Sequence, residues 1–453
     1  MLKGKKILVI GAGLSGIGAV KLLSRMGARP VLFDGNEKLT KEEVEEKLLD
    51  VGDTELYIGN LPESVKETVD LLVPSPGVPC DTGIVAEFRE KRIPIWGELE
   101  LAFHVAKGRL AAITGTNGKT TTTSLVGEIL REAYDEVFVV GNIGDPYTVE
   151  ALRTTDKSVT VAEVSSFQLE TVEQFHPHVS AILNVTPDHL NRHHTMENYA
   201  AAKEEIARCQ NKEDLCVLNY ENEYTRAFGQ RCKAEVVWFS SGRELENGYF
   251  LRGDKICLAE EGNVRELLDI HKDMNLVGIC NVENVMAAIA IGRGMQVPME
   301  KILKAVGNFK AVEHRIEYVA TKAGVDYYND SKGTNPDAAI QGIRAMDRPT
   351  VLIGGGYDKE NEYDEWIDAF DGKVKLLVLI GQTREKIAAC ARAHGFTDYV
   401  FADSFEEALE LCVKNAKEGD AVLLSPACAS WGMFPNYEVR GKLFKEYVLN
   451  LKE

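Results

Sequence analysis

Short apolar runs recur along the chain, and most end in a loop rich in glycine, proline or small polar residues. The first block reads ILVI (7–10), PVLFD (30–34) and DLLVPS (70–75). Between the first two runs, Ile17, Val20, Leu22 and Leu23 follow Gly16 at helical spacing until Gly27 stops the pattern. A second block opens near Trp96: RLAAIT (109–114) predicts a strand and Lys119 to Arg131 a helix, with EVFVV, SVTVAEV and VSAILNV as further strands. Residues 213 to 273 are mixed, with short strand-like runs. Asn281 to Gly294 predicts a helix packed through Val285, Ala288 and Ile289. In the third block, VDYYND, TVLIGGG, KLLVLIG and AVLLSPA predict strands. Fully apolar strands alternating with helices imply an α/β fold of parallel sheets covered on both faces. The short linkers at 96–108 and 294–300 divide it into three domains, 1–96, 97–298 and 299–453.

Composition narrows the function classes. With 453 residues, 45% hydrophobic and 27% charged, the chain is an ordinary globular one. A net charge of −18 argues against nucleic-acid or anionic-membrane partners, which want a basic surface. It does not exclude a phosphorylated small molecule, because a helix N-terminus holds phosphate without net positive charge. Cys80, Cys209, Cys216, Cys232, Cys257, Cys280, Cys390, Cys412 and Cys428 are scattered and form no C-x-x-C. That points to reduced thiols and a cytoplasmic protein rather than to a zinc or disulfide framework. MLKGKKILVI enters a strand within five residues and is no signal peptide, and no apolar run reaches the ~18 residues of a membrane span.

The unusual residues gather where strands end: GAGLSG, PSPGVP, TGTNGKT, EVSSFQ, NVTPDH, NDSKGTN, GGGYDK and SPACAS. In open parallel sheets that is where ligands sit. GAGLSG, with Gly11, Gly13 and Gly16, is a dinucleotide-type turn, and Asp34 ends the next strand where an acid meets a ribose hydroxyl. NAD, another nucleotide diphosphate and a plain tight turn all fit this stretch alone. The second loop, Gly115, Thr116, Asn117, Gly118, Lys119, Thr120 and Thr121, follows a strand and opens a helix. Backbone N–H groups there would cradle phosphates, Lys119 would neutralise β/γ charge, and Thr120 or Thr121 would reach Mg²⁺. It departs from the usual nucleotide loop in carrying Ile113 at the first glycine position.

Glu163 ends an apolar strand, where a buried carboxylate is costly without a partner such as Mg²⁺. His189, in NVTPDH, reads either as a structural histidine or as part of the same strand-end constellation. On the third block, Arg315, Asp330, Lys332, Thr334, Asn335 and Lys359 suit anionic groups, with a solvated loop lysine as the alternative for Lys359.

GTNGKTTT, EVSSFQLE from Glu163, NVTPDHL, YAAAK from Tyr199 to Lys203, Asn281 to Asn284, His314-Arg315, NDSKGTNPDA, GGYDK and SPACASW occur in that order. Together they resemble the Mur ligases of peptidoglycan synthesis across essentially the whole chain. The combination is most similar to members that add D-glutamate to UDP-N-acetylmuramoyl-L-alanine. NDSKGTNP stands where the ligases adding lysine or diaminopimelate carry a DNPR-type motif.

The resemblance implies a Rossmann-like N-terminal domain for the UDP end of the sugar nucleotide, with no NAD. A central P-loop-type ATPase domain and a Rossmann-like C-terminal domain for D-glutamate follow. It assigns Leu14, Ser15, Asp34, Ser75, Pro76, Gly77, Asn142 and His189 to the UDP-sugar. ATP falls to the Gly115–Thr121 loop with Asn284, Arg315 and Asp330. D-Glutamate falls to Lys332, Thr334, Lys359, Ser430 and Tyr437. Lys119, Glu163, His189 and Lys203 are the implied catalytic set, and Thr120, Glu163, His189 and Lys203 the ligands of two Mg²⁺ ions. Lys203, which by sequence alone reads as a surface helix lysine, would carry a carbamate. The implied reaction is ATP-dependent amide formation through an acyl phosphate, by a cytoplasmic monomer with no nucleic-acid partner and no membrane insertion.

Two residues depart from the family pattern: Cys280 where His is expected and Gly432 where an acid is more usual. Rival readings explain less. Another amide-forming relative, such as the L-alanine-adding ligase or folylpolyglutamate synthase, does not suit SPACASW, GGYDK and NDSKGTN together. An NAD-dependent oxidoreductase leaves GTNGKT, Glu163 and Lys203 without a role. A binding protein with a dead ATPase would have lost Lys119, Glu163 or His189, and all three are present.

Overall fold

A computed structural model describes residues 2–52, 54–81 and 83–452. It contains three sheets among the described residues. The first holds β1 (Lys6–Ile10), β2 (Arg29–Asp34), β3 (Glu55–Ile58) and β4 (Leu71–Pro74), all parallel, in the order β3-β2-β1-β4. Its strands are apolar on both faces, as the pattern requires. Ile7 and Val9 of β1 join one core, and Leu8 and Ile10 join another. Burying each such side chain stabilises the fold by roughly 1.5–3 kcal/mol.

The second sheet contains β5 (Arg109–Thr114), β6 (Val137–Gly141), β7 (Val159–Glu163), β8 (Val179–Ile182), β9 (Leu215–Asn219), β10 (Glu235–Ser240), β11 (Gly248–Arg252), β12 (Lys255–Glu260) and β13 (Asn263–Asp269). Their order is β13-β12-β11-β10-β9-β8-β5-β7-β6. The strands from β6 to β11 are parallel, while β12 and β13 add an antiparallel extension. The mixed stretch 213–273 therefore resolves into the strands β9 to β13 and the helix Glu223–Gly229, the last strands reversing direction at tight turns.

The third sheet contains β14 (Glu317–Lys322), β15 (Val325–Asn329), β16 (Thr350–Gly356), β17 (Val374–Gly381), β18 (Tyr399–Phe401) and β19 (Ala421–Leu424), in the order β14-β15-β19-β16-β17-β18. Only β14 runs antiparallel to its neighbour. Its two faces carry separate cores, one around Trp366, Ile343 and Leu352 and one around Phe444, Leu409 and Val351.

The chain divides into two compact units. Residues Met1–Asp273 and Glu283–Gly307 form the first, and Met274–Val282 and Asn308–Glu453 the second. The first unit holds the first two sheets on one shared core, which runs from Val9 and Leu23 to Leu99, Tyr147 and Tyr199.

Candidate active site

In the first unit, the GAGLSG turn joins β1 to the helix Leu14–Arg25. A Cβ at Gly16 would lie 1.8 Å from the Gly11 carbonyl oxygen, so only glycine lets the turn close. Asp34 stabilises the same turn: Oδ2 accepts from the Ala12 N–H at 2.8 Å and Oδ1 from the Asn36 N–H at 2.8 Å. Leu14 is 82% exposed on the open side of the turn. Ser75, Pro76 and Gly77 follow β4 beside it, and the buried Ser75 hydroxyl has no hydrogen-bond partner among the described residues. Leu14, Ser15, Asp34, Ser75, Pro76 and Gly77 thus gather at one end of the first sheet, whereas Asn142 and His189 follow strands β6 and β8 of the second.

The second loop leaves β5 and opens the helix Lys119–Arg131, whose bounds match the sequence pattern. Gly118 caps that helix at φ +83°, and a Cβ there would meet Asn284 Oδ1 at 2.1 Å. Asn284 also accepts from the Thr122 hydroxyl at 3.2 Å, so it lies against the loop as expected. The Asn117 N–H donates to Asn184 Oδ1 at 2.8 Å, and Asn184 Nδ2 donates back to the Asn117 carbonyl at 3.1 Å. Thr116 Oγ1 takes the Thr186 N–H at 3.0 Å and lies 3.2 Å from the Tyr199 hydroxyl. These ties hold the loop before any phosphate arrives, which is what preorganised anion binding needs.

Two lysines converge on this loop. Lys119 Nζ donates to the carbonyls of Gly115 and Thr116, each at 2.8 Å. Lys203 Nζ donates to the Gly115 carbonyl at 2.9 Å and lies 4.4 Å from the centre of the Tyr199 ring. Lys203 is 1% exposed. Burial, reinforced by the Lys119 charge and opposed by Asp188, pushes its pKa well below the usual lysine range.

Glu163 ends β7, with its register partner Ile113 on β5 just ahead of the loop. Asn142 Nδ2 donates to Glu163 Oε1 at 2.9 Å, while Oε2 is buried with no donor among the described residues. His189 follows β8 at φ 52°, with Nε2 3.4 Å from Asp188 and its ring 4.9 Å from Phe167. Phe167 also stacks on His193, whose ring lies 5.1 Å from Tyr199. Arg192 pairs with Glu170 at 2.6 Å and donates to the Val78 carbonyl at 2.9 Å, tying this region to the end of the first sheet.

In the second unit, the loop after β15 carries Asp330, Lys332, Thr334 and Asn335. Asp330 is enclosed: Oδ2 accepts from the Ser425 hydroxyl at 2.6 Å and Oδ1 from the Ile316 N–H at 3.2 Å. Burial raises its pKa to about 7. Arg315 is half-buried nearby, and its charge acts on Asp330. Lys332 Nζ lies 3.9 Å from the centre of the Tyr437 ring, so these two expected D-glutamate residues meet. Ser430 is buried, and exposed Lys359 sits 4.9 Å from the centre of the Trp431 ring, one residue beyond it.

Sequence reading missed Arg440. It is fully buried, and donates to the Ser331 hydroxyl at 2.9 Å, the Ser331 carbonyl at 2.7 Å and the Cys428 carbonyl at 3.3 Å. It therefore clamps the Asp330–Thr334 loop to the SPACAS loop. No local motif marks it, because its partners are Ser331, more than a hundred residues away, and a carbonyl of the preceding loop. The two departures sit quietly. Cys280 packs partly buried against the second unit's core, and Gly432 lies in the turn between Ser430 and the helix Tyr437–Asn450.

Asp330 gives a pH-dependent stability with a definite sign. A carboxyl raised from 3.8 to about 7 stabilises the fold most below pH 3.8. That contribution fades as pH rises through about 7. In the Asp330→Asn variant the amide oxygen can accept from the Ile316 N–H while the amide nitrogen donates to the Ser425 hydroxyl, and the side chain does not ionise. The variant's thermal midpoint should gain on the parent's as pH rises from about 5 to about 7, by the equivalent of about 2–3 kcal/mol, and hold level from there to about pH 8. Midpoints that move in parallel over that range would overturn the assignment.

The comparisons agree with this arrangement. Three family descriptions match in succession: Mur ligase MurD-like, N-terminal domain at 5–97, Mur ligase middle domain at 113–292, and Mur ligase, glutamate ligase domain at 314–428. Two relatives carry the name UDP-N-acetylmuramoylalanine--D-glutamate ligase. That of Lachnospira eligens is 58% identical over 99% of this chain and 100% of its own length. That of Lachnoclostridium phytofermentans is 56% identical over 99% of each. In fold, the chain is similar to the UDP-N-acetylmuramate-alanine ligase MurC of Thermotoga maritima. The TM-score is 0.60 at 19% identity, over 99% of this chain and 100% of that one. The matches run in the same order as the three sheets and their loops, and the chain belongs to the Mur ligase family.

Proposed function

We propose that this chain is an ATP-dependent ligase that joins D-glutamate to UDP-N-acetylmuramoyl-L-alanine, releasing ADP and phosphate. The observation that carries the reading is the preorganised Gly115–Thr121 loop with two lysines on it and the orphaned Glu163 oxygen on the adjacent strand. Full-length similarity to relatives named for this reaction supports the choice of substrates.

The L-alanyl carboxylate attacks the γ-phosphorus of ATP, the bond to the β-phosphate oxygen breaks, and ADP leaves. The D-glutamate amine then attacks the acyl-phosphate carbonyl, loses a proton and expels phosphate. Lys119 is placed to leave its loop carbonyls for the β/γ-phosphates and hold the charge of the transferring group. The helix Lys119–Arg131 presents its N-terminal N–H groups to the same anion. The site's donor chemistry fits Mg²⁺: Glu163 Oε2 is a buried carboxylate oxygen with no partner among the described residues, and the Thr120 hydroxyl, His189 and a carbamate on Lys203 would complete the sites for two ions. Bound there, Mg²⁺ would reduce the repulsion between the carboxylate and the triphosphate. Asn142 keeps Glu163 Oε1 occupied, which orients the free oxygen.

The carbamate is implied by the family resemblance, and the surroundings of Lys203 support it. A buried lysine with a depressed pKa holds its amine neutral, and a neutral amine adds CO₂ with loss of one proton. At the GAGLSG turn, Asp34 is already engaged by Ala12 and Asn36, so it shapes the loop for the uridine nucleotide as much as it contacts one. The same reading keeps Ser15, Pro76 and Gly77 with the UDP end, and Lys332, Thr334, Lys359, Ser430 and Tyr437 with D-glutamate. It also keeps the division into 1–96, 97–298 and 299–453, a monomer and a cytoplasmic site of action. All nine cysteines being free thiols supports the last of these. Among the described residues, no helix is long and apolar enough to cross a membrane.

Phosphate release with Mg-ATP and UDP-N-acetylmuramoyl-L-alanine, measured across a panel of amino acids, tests the reading. Release should require D-glutamate and should not respond to L-glutamate or L-alanine. Release driven by another amino acid would retain the ligase and overturn the D-glutamate residues, with Gly432 the first to examine.

A further inference from the structure

On the second unit, two neighbouring helices each present a pair of metal-ligating side chains four residues apart. The helix Asp364–Asp368 carries Asp364 and Asp368, and the helix Arg384–Ala393 with its cap carries Cys390 and His394. That spacing places both members of a pair on one helix face. The ligand atoms of Asp364, Cys390 and His394 all lie within 4.8 Å of one another. His394 links the two helices, with Nε2 2.9 Å from Asp364 Oδ1 and Nδ1 2.6 Å from Asp368 Oδ1.

The scaffold beneath is rigid. Trp366 and Ile367 anchor one helix in the core, and Ile387, Ala388 and Ala391 anchor the other. Phe370 and Phe396, just beyond the two helices, pack edge to face with centroids 5.0 Å apart. Donors on packed helices keep their geometry better than donors on loops. Besides burial, the groups acting on the Cys390 thiol are Asp364, Glu362 and Asp368, all acidic, and together they push the thiol up. A field of that sign attracts a cation.

We propose that Asp364, Cys390 and His394 Nε2 form a site for a divalent transition metal, zinc by preference, with Asp368 holding His394 Nδ1 from behind. A thiol, an imidazole and a carboxylate suit Zn²⁺ or Co²⁺ and not Mg²⁺ or Ca²⁺, which take oxygen ligands. The Asp368–His394 contact is the carboxylate–histidine arrangement that orients metal-binding imidazoles. Binding replaces the Asp364–His394 hydrogen bond with two bonds to the metal. The Cys390 thiol releases one proton, as does His394 if protonated, and no electrons move. None of these residues belongs to the ATP, UDP-sugar or D-glutamate assignments. The absence of C-x-x-C does not bear on the site, because its donors come from two helices.

The test uses the full chain, free of any affinity tag and stripped of metal with EDTA, titrated with Co²⁺ alone. One tight equivalent with a thiolate-to-cobalt charge-transfer absorption is expected, and Zn²⁺ should raise the thermal midpoint. Both effects should vanish in Cys390→Ser and in His394→Gln, with unchanged circular dichroism. Asp368→Asn should weaken binding about 10–100-fold and keep the band. No charge-transfer band in the parent, or a band that survives either Cys390→Ser or His394→Gln, overturns the proposal.

Discussion

Lys119→Ala should lower D-glutamate-dependent phosphate release by at least about 10³-fold, the scale set by removing a charge aimed at a transferring phosphoryl group. The geometry explains why the loss is catalytic rather than structural. Lys119 Nζ rests on the Gly115 and Thr116 carbonyls, but the loop has other supports. Asn184 holds Asn117 from both sides, the Thr186 N–H and Tyr199 hydroxyl meet Thr116, and Asn284 closes on Gly118. The variant should therefore fold, and isothermal titration should find UDP-N-acetylmuramoyl-L-alanine binding unchanged, because that ligand's nucleotide end is assigned to the first sheet. A variant that keeps a tenth of the parent's turnover would remove Lys119 from phosphoryl transfer. Loss of sugar-nucleotide binding as well would mean that the lysine holds the fold of the loop instead.

The loop and its helix were legible because the signal is local: a strand, a glycine-rich turn and a helix start fall within a few residues. Glu163 was legible for a related reason, since an acid ending an apolar run is conspicuous, and its orphaned oxygen gives that reading a physical basis. Edge strands divide: β4 and β6 carry apolar runs that the sequence shows, but β3, β14 and β18 are short or half-exposed, so their apolar alternation is weak and pairing with a neighbour decides them. Arg440 was invisible because its hydrogen bonds depend on the path of two distant loops. Asp330 was singled out as a ligand contact, yet its oxygens are occupied by Ser425 and Ile316 within its own unit. Strand-end position marks such a residue as unusual without saying whether it faces a ligand or braces the loop that does.

Lys203 is the sharpest case of that limit, and the second large effect follows from it. MENYAAAKE has little amphipathic pattern, so a lysine near its end reads as solvated. In the fold, Tyr199 is buried on the same helix with its hydroxyl near Thr116, and the turn that follows it delivers Lys203 Nζ to the Gly115 carbonyl. A cation there faces a second cation, Lys119, and burial and that charge both favour the neutral amine. On the proposed function, a carbamate formed on that neutral amine would supply an anion able to ligate metal. Lys203→Ala should then lose turnover by about 10³-fold or more, the cost of removing a group that stabilises the transferring phosphoryl's metal. Formate or acetate should restore part of that turnover by supplying a carboxylate in the space vacated. In the parent, ¹³C-labelled bicarbonate should give a carbamate resonance that Lys203→Ala lacks. A lysine that acted as a cation would respond oppositely: rescue would come from small amines, and carboxylates would do nothing. Failure of carboxylate rescue together with no labelled resonance in the parent would leave Lys203 as a buried amine bound to Gly115, and would remove it from the proposed metal ligands.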